Sequence, residues 1–357
     1  MAISLKKLKD QVIVITGASS GIGLVTARMA AAKGAKVVVA ARNEEAIIQL
    51  AAELRGKGYP ATWVTADVGK EEDVQRIADT AIRTFGRFDT WINNAGVSIF
   101  GKTTDVSVDD MKRLFDTVYW GVVYGSRVAV QHFTERGVPG ALINIGSLLG
   151  DHSSDLQPTY SSAKHAVHGW TDNLRIELEK SKAPVSVTLI HPGKIDTPHN
   201  DHAQNYLEKQ PTQRGVVYPP EAVARAILYA AEHPKRDMFV GSQAKVGSVL
   251  GGTLPQLADN VFDALSFRGQ SKPQPAAPSD QSGLHQPGYG LHERGSSPSA
   301  VRKGSLYVEA SRHPVLTTLA LAGLATIAFA VAKNKCDSCS TTEVRLPLET
   351  IDHDAPQ

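Results

Sequence analysis

Residues 11–33 read QVIVITGASSGIGLVTARMAAAK. The opening run, 11–16, is short and β-branched and reads as a buried strand. Residues 24–33 read as a helix, and between the two lies a turn carrying Gly17, Ser19, Ser20, Gly21, Ile22 and Gly23. Strand, glycine turn and helix together make a phosphate-binding context. Glycine lets the backbone approach a pyrophosphate, and the start of the helix offers unpaired N–H groups and the positive end of its dipole. The spacing is Gly-x-x-x-Gly-x-Gly, not the Gly-x-Gly-x-x-Gly of many dinucleotide folds.

Working outward, residues 36–41, 61–66, 88–93, 140–147, 185–191 and 237–241 read as further strands, about seven in all. Helices are expected over 44–57, 71–85, 109–135, 159–180 and 219–233, the last with proline at its start. Strands that alternate with helices argue for an α/β fold with a parallel sheet covered on both faces. Ligands of such sheets bind beyond the carboxyl ends of the strands. Those ends carry Asp67-Val68, Asn93-Asn94-Ala95-Gly96 and Pro192-Gly193-Lys194-Ile195-Asp196-Thr197. An acidic residue at the end of the second strand would bond ribose hydroxyls and select NAD. The chain has Ala41 and then Arg42 there. A guanidinium at that point suits a 2′-phosphate and favours NADP(H) over NAD(H); the plainer reading is a solvated arginine opening helix 44–57.

Tyr160 and Lys164 lie four residues apart on the expected helix 159–180, so they share a face. An ammonium beside a phenol favours the phenolate and lowers its pKa, which makes tyrosine a usable general acid/base. Ser147 follows the apolar run 141–145 and could polarise a carbonyl facing that helix. A surface tyrosine and lysine on an amphipathic helix would show the same spacing.

The chain has 357 residues and a formal net charge of +2, which gives no broad electrostatic case for nucleic acid. Its two cysteines, Cys336 and Cys339, lie near the C-terminus, so disulfides play no part in the main body. They read as unpaired or acylated thiols, because a structural zinc site needs a second pair. No metal site is expected: His152, His199 and His202 read as solvated loop histidines. The N-terminus does not read as a signal peptide. The polar stretch 199–217 reads as a flap over the site. Residues 1–245 form the core domain. The apolar face over 246–268 fits packing on the core, on a partner subunit or on a membrane surface. Residues 269–311, rich in Pro, Ser, Gly and Gln, read as a disordered linker. Within 312–335, the uncharged run 315–332 is long enough to span a bilayer, against a need of about 17–25 residues. It reads as a C-terminal membrane anchor with the catalytic domain cytoplasmic, and 336–357 as a polar tail.

Together these motifs resemble the short-chain dehydrogenase/reductase family, over roughly residues 8–245. The resemblance rests on Thr16-Gly17-x-x-x-Gly21-Ile22-Gly23, Asn93-Asn94-Ala95-Gly96, Ser147, Tyr160-x-x-x-Lys164 and Pro192-Gly193-x-Ile195-x-Thr197. It implies a Rossmann-type doubly wound sheet and hydride transfer between NADP(H) and a small-molecule carbonyl or secondary alcohol. The substrate is expected to be apolar if the enzyme is tethered to a membrane. By the same resemblance, Gly17, Ser19, Ser20, Gly21, Ile22 and Gly23 would line the phosphates and Arg42 would meet the 2′-phosphate. Asp67 and Val68 would flank the adenine, and Asn94, Ala95 and Gly96 would lie along the adenosine. Ile195 and Thr197, in the loop opened by Pro192 and Gly193, would hold the carboxamide. Tyr160 would be the acid/base, Lys164 would lower its pKa and bond the ribose, and Ser147 would orient the carbonyl. A homodimer or homotetramer through the two long helices is implied as well.

One position departs from the family pattern. Val118 stands where an asparagine commonly helps hold a relay water, and valine has no side-chain hydrogen bond to offer. Either the relay is rerouted through another water or a backbone carbonyl, or the protein is an NADP(H)-binding sensor or scaffold with weak or no turnover.

Overall fold

A computed structural model describes residues 3–211, 216–241, 271–275, 282–296 and positions 301, 302, 304, 305, 308 and 309. All belong to one unit, Met1–Glu309. In chain order come β1 (Val12–Thr16), α1 (Gly21–Ala32), β2 (Lys36–Ala41), α2 (Glu44–Gly56), β3 (Ala61–Thr65) and α3 (Glu71–Phe85). Then follow β4 (Thr90–Asn93), β5 (Ile99–Phe100), α4 (Val108–Phe115), α5 (Gly121–Arg136), β6 (Gly140–Ile145) and α6 (Pro158–Lys180). The last elements are β7 (Val185–Pro192), β8 (Gln204–Asn205), β9 (Lys209–Pro211), α7 (Pro220–Glu232), β10 (Asp237–Val240) and β11 (Ser271–Pro275).

Seven strands form one parallel sheet in the order β3-β2-β1-β4-β6-β7-β10. The order reverses between β1 and β4, so a crevice opens beyond their carboxyl ends, where this architecture binds ligands. Every residue of β1 is buried, as expected for a central strand with both faces covered. Ile13 and Ile15 point into one core with Leu24 of α1, Ile47 of α2 and Ile227 of α7. Val12 and Val14 point into the other with Ile77 of α3, Phe133 of α5 and Leu174 of α6. Local chemistry sets the helix ends. The Asn43 side chain caps α2 by accepting from the Ala46 N–H, and Gly86 closes α3 in the left-handed conformation at φ 79°.

Three expectations are corrected here. The helix expected over 109–135 is broken: α4 and α5 are joined by a π-helical turn, Asp116–Trp120, the kind of bulge that often marks a functional site. The linker expected over 269–311 is ordered in part: β11 pairs with β9, and residues 282–296 lie on the core. This stretch is held mainly through backbone groups, which is why its composition gave no apolar signal; among its described residues, Leu284 and Val308 are fully buried apolar side chains.

The third correction concerns localisation. Among the described residues no helix is long and apolar enough to cross a membrane. The anchored placement also rested on a disordered linker isolating 315–332 from any core, and residues 282–296 remove that premise. Residues 315–332, the apolar face 246–268 and Cys336 and Cys339 lie outside the described residues.

Candidate functional site

The crevice at the carboxyl ends is a single cavity. Of the catalytic and cofactor-binding residues expected from sequence, all line it except Gly23, and Val118 does not line it either. Gly23 sits behind the wall: a Cβ there would lie 2.3 Å from the Gly17 carbonyl oxygen. Gly17 and Gly21 take positive φ, 65° and 51°, which side chains rarely adopt. The Asn94 side chain ties the turn down, its Nδ2 donating to the carbonyls of Thr16 (2.9 Å) and Gly17 (3.2 Å). Thr16 Oγ1 in turn accepts from the N–H groups of Asn94 and Ala95. Asn94 therefore acts on the turn as well as lining the cavity.

Arg42 enters at the end of β2 with its guanidinium donating to the carbonyls of Gly283 and Leu284. Burial lowers its pKa. Asp67 pairs with Arg113 at 2.6 Å, and Arg113 Nε also donates to Leu284 at 3.2 Å. Two guanidinium groups thus stand at one end of the cavity.

At the other end are Ser147, Tyr160 and Lys164. Tyr160 and Lys164 are 8% and 5% exposed. The Lys164 ammonium lies 5.7 Å from the centre of the Tyr160 ring and donates to the Ile145 carbonyl at 2.7 Å. Ser147 Oγ accepts from the Leu149 N–H at 3.1 Å. The electrostatics correct one expectation. Burial pushes Tyr160 up to about 12, offset only partly by a hydrogen bond to Ser147, and burial pushes Lys164 down to about 8. Desolvation disfavours both charged forms, and at Tyr160 the opposing cause is the bond to Ser147, not the ammonium that was expected to lower it. In this state the phenol keeps its proton.

Behind Ser147 lies a polar network that the sequence did not reveal. Asp151 accepts from His191 Nδ1 at 2.8 Å and pairs with His168 Nδ1 at 3.2 Å, while His168 Nε2 accepts from the Ser147 N–H at 3.4 Å. Burial alone would push Asp151 up, but the bonds from His168 and His191 hold it well below the usual carboxylate range. Burial would push His191 down, but its bonds to Asp151 and Asp237 raise it. His168 is lowered by burial, and as a neutral ring it can both donate to Asp151 and accept from Ser147.

The stability of this network has a pH sign. The Asp151 contribution is complete above its unfolded value near 3.8 and is lost as pH falls toward its folded value. The His191 contribution is complete below about 6.5 and is lost as pH rises through its folded value. Asp151→Asn is expected to cost about 3–5 kcal/mol near pH 6, because it leaves buried partners unpaired. Urea unfolding across pH checks this: the gap between unaltered and Asp151→Asn chains should narrow on acidification.

Two more residues were misread as solvated. His199 and His202 line the cavity, and their Nε2 atoms are closed to solvent with no partner among the described residues. Burial pushes both down to about 4, so both are neutral at neutral pH. The His199 ring lies 5.5 Å from that of Tyr160. Val118 is fully buried and packs in an apolar cluster with Tyr160, Ala163 and Val167. Thr117, one residue earlier in the π-helical turn, lines the cavity instead, its buried hydroxyl without a partner among the described residues. The sequence carried no signal for Thr117, which lies in a turn that the expected regular helix over 109–135 did not include.

The parallel sheet, the glycine turn and the cavity at the strand ends define a class. The family model described as short chain dehydrogenase matches residues 11–207, more than half of the chain. The chain belongs to the short-chain dehydrogenase family and is an oxidoreductase of that type. It is 61% identical over 332 residues to the uncharacterised oxidoreductase YxnA of Bacillus subtilis, covering 93% of each chain. So little of the chain is left uncovered that this match runs through residues 282–296. An uncharacterised oxidoreductase of Staphylococcus aureus strain MRSA252 is 36% identical over 228 residues, 64% of this chain and 94% of the relative. In fold, the chain is similar to a short-chain dehydrogenase/reductase from Burkholderia phymatum crystallised with NAD. The TM-score is 0.60 at 24% identity, covering 77% of this chain and 99% of that one.

Proposed function

We propose that the chain is an NADP(H)-dependent oxidoreductase that moves a hydride between the nicotinamide and a carbonyl or secondary alcohol carbon. The observation that carries this reading is one cavity holding Ser147, Tyr160 and Lys164 at one end and the glycine turn and Arg42 at the other. The walls fit a dinucleotide. Gly17 and Gly21 line the cavity without side chains, so bare backbone and the start of α1 face it. Residues 17–22 would hold the phosphates, Asp67 and Val68 the adenine, and Ile195 and Thr197 the carboxamide. Arg42 would hold a 2′-phosphate, with Arg113 adding positive charge nearby.

When bound, the dinucleotide supplies or accepts the hydride. The residues of the chain manage the proton. In reduction, Tyr160 donates its Oη proton to the carbonyl oxygen as negative charge builds there, and Ser147 orients that oxygen. Burial keeps the phenol protonated at rest, which is the form this direction needs. Lys164, titrating near 8, is an ammonium at neutral pH and stabilises the phenolate left behind. Val118 offers no bond to a relay, and the Thr117 hydroxyl takes that place.

The reading is tested by steady-state NADPH consumption with a panel of aldehydes and ketones. Saturable consumption that depends on Tyr160 is expected. Tight NADPH binding with no consumption across the panel would return the sensor reading.

A further inference from the structure

Residues 282–296 cross the mouth of the cavity at its adenosine end. Gly283, Pro287 and Gly288 form part of the cavity wall, so the cavity runs beneath this strap and is not filled by it. The strap lies flush: a Cβ at Gly290 would fall 2.3 Å from the Cβ of Ala46. Its carbonyl oxygens accept from the donors that an anionic ligand would use. The carbonyls of Gly283 and Leu284 take the Arg42 guanidinium, and the carbonyl of His292 takes the Gly21 N–H at the start of α1, at 2.9 Å.

Polar contacts hold the rest of the strap. Glu293 pairs with Arg28 at 2.7 Å, and the N–H of Ser296 and the hydroxyl of Tyr289 both donate to Asp201 Oδ2, at 2.9 and 3.1 Å. These anchors are polar and partly or fully exposed, whereas the sheet below is closed by full apolar burial. Segments held by few buried apolar contacts open at lower free energy than the core they cover.

We infer that residues 282–296 are a gate on the dinucleotide site, which must lift for NADP(H) to enter or leave and which roofs the adenosine half once it is in. The inference rests on the nicotinamide reading above. Cofactor phosphates and strap carbonyls compete for Arg42 and for the Gly21 N–H, so entry requires strap release. A roof made of Gly283, Pro287 and Gly288 then retains what has entered. Exchange in both directions is limited by one opening step.

Stopped-flow fluorescence with the full chain and NADPH tests this. In the unaltered chain the observed binding rate should level off with rising NADPH, at the strap-opening rate. Asp201→Ala combined with Glu293→Gln touches no cavity-lining residue. It should speed both binding and release at least about tenfold, with affinity changed by less than that. A binding rate that stays linear in NADPH, or a double variant with an unchanged release rate, would overturn the gate. Faster binding with unchanged release would make the strap a simple plug and overturn the gate too. No NADPH binding by the unaltered chain at equilibrium would bring down the nicotinamide reading and the gate with it.

Discussion

Tyr160→Phe is expected to lower turnover by on the order of 10³-fold while leaving NADPH affinity within a few-fold. The substitution removes one oxygen and keeps the ring. That ring packs among Val118, Ala163 and Val167, and phenylalanine fills the same space. The stability of the fold should therefore be unchanged. Among the described residues, the lost oxygen is the only phenolic proton donor in the wall of the cavity. His199 stands nearby but is held neutral, with burial pushing its pKa to about 4, so it is no substitute acid at neutral pH. Turnover and equilibrium NADPH binding, measured on the same preparation, separate the two effects. A loss of only a few-fold in turnover would move the proton-donor role away from Tyr160.

The second large effect is expected at Gly23, which does not line the cavity. A methyl group there would meet the Gly17 carbonyl oxygen at 2.3 Å and Asn94 Nδ2 at 2.7 Å. Both are parts of the knot that shapes the glycine turn, and neither is the free end of a flexible side chain. The turn has to move, at a cost of about 1–3 kcal/mol from overpacking. Cofactor affinity should fall about 100-fold, since a shift of that kind misaligns the start of α1 and the N–H groups facing the cavity. Gly169→Ala is the control. It lies in α6 with nothing within 4 Å of an added Cβ, and it should stabilise the chain by about 0.5–1 kcal/mol. Urea unfolding and NADPH titration of both variants check the contrast.

Much of this was legible in the sequence because the sheet is buried on both faces. Runs such as VIVIT at β1 and KVVVAA at β2 announce themselves as strands, and the turns after them fix where a ligand sits. Four features were not legible, each for a physical reason. The π-helical turn at Asp116–Trp120 has no signature in composition, so nothing in the sequence showed that Thr117 lines the cavity and Val118 does not. The strap over 282–296 binds largely through carbonyls and N–H groups, which every residue has, and through scattered polar side chains, and so it looked like a linker. The balance at Tyr160 depends on how deeply the pair is buried. The spacing of Tyr160 and Lys164 gives their proximity and says nothing of desolvation, which here dominates. The polar partners of Asp151 come from α6 and β7, a convergence that only the folded chain brings about.

The most direct measurement is an equilibrium titration of the full chain with NADPH and with NADH, alongside Arg42→Ala. Losing one charge-assisted contact to a phosphate costs about 1.5–3 kcal/mol. The unaltered chain is therefore expected to bind NADPH about 10–100-fold more tightly than NADH, and Arg42→Ala to erase that ratio. The ratio is the quantity to read, because Arg42 also holds the strap and its loss alters access for both cofactors alike. Equal binding of NADPH and NADH by the unaltered chain would contradict the role given to Arg42. Binding of neither would contradict the nicotinamide site itself.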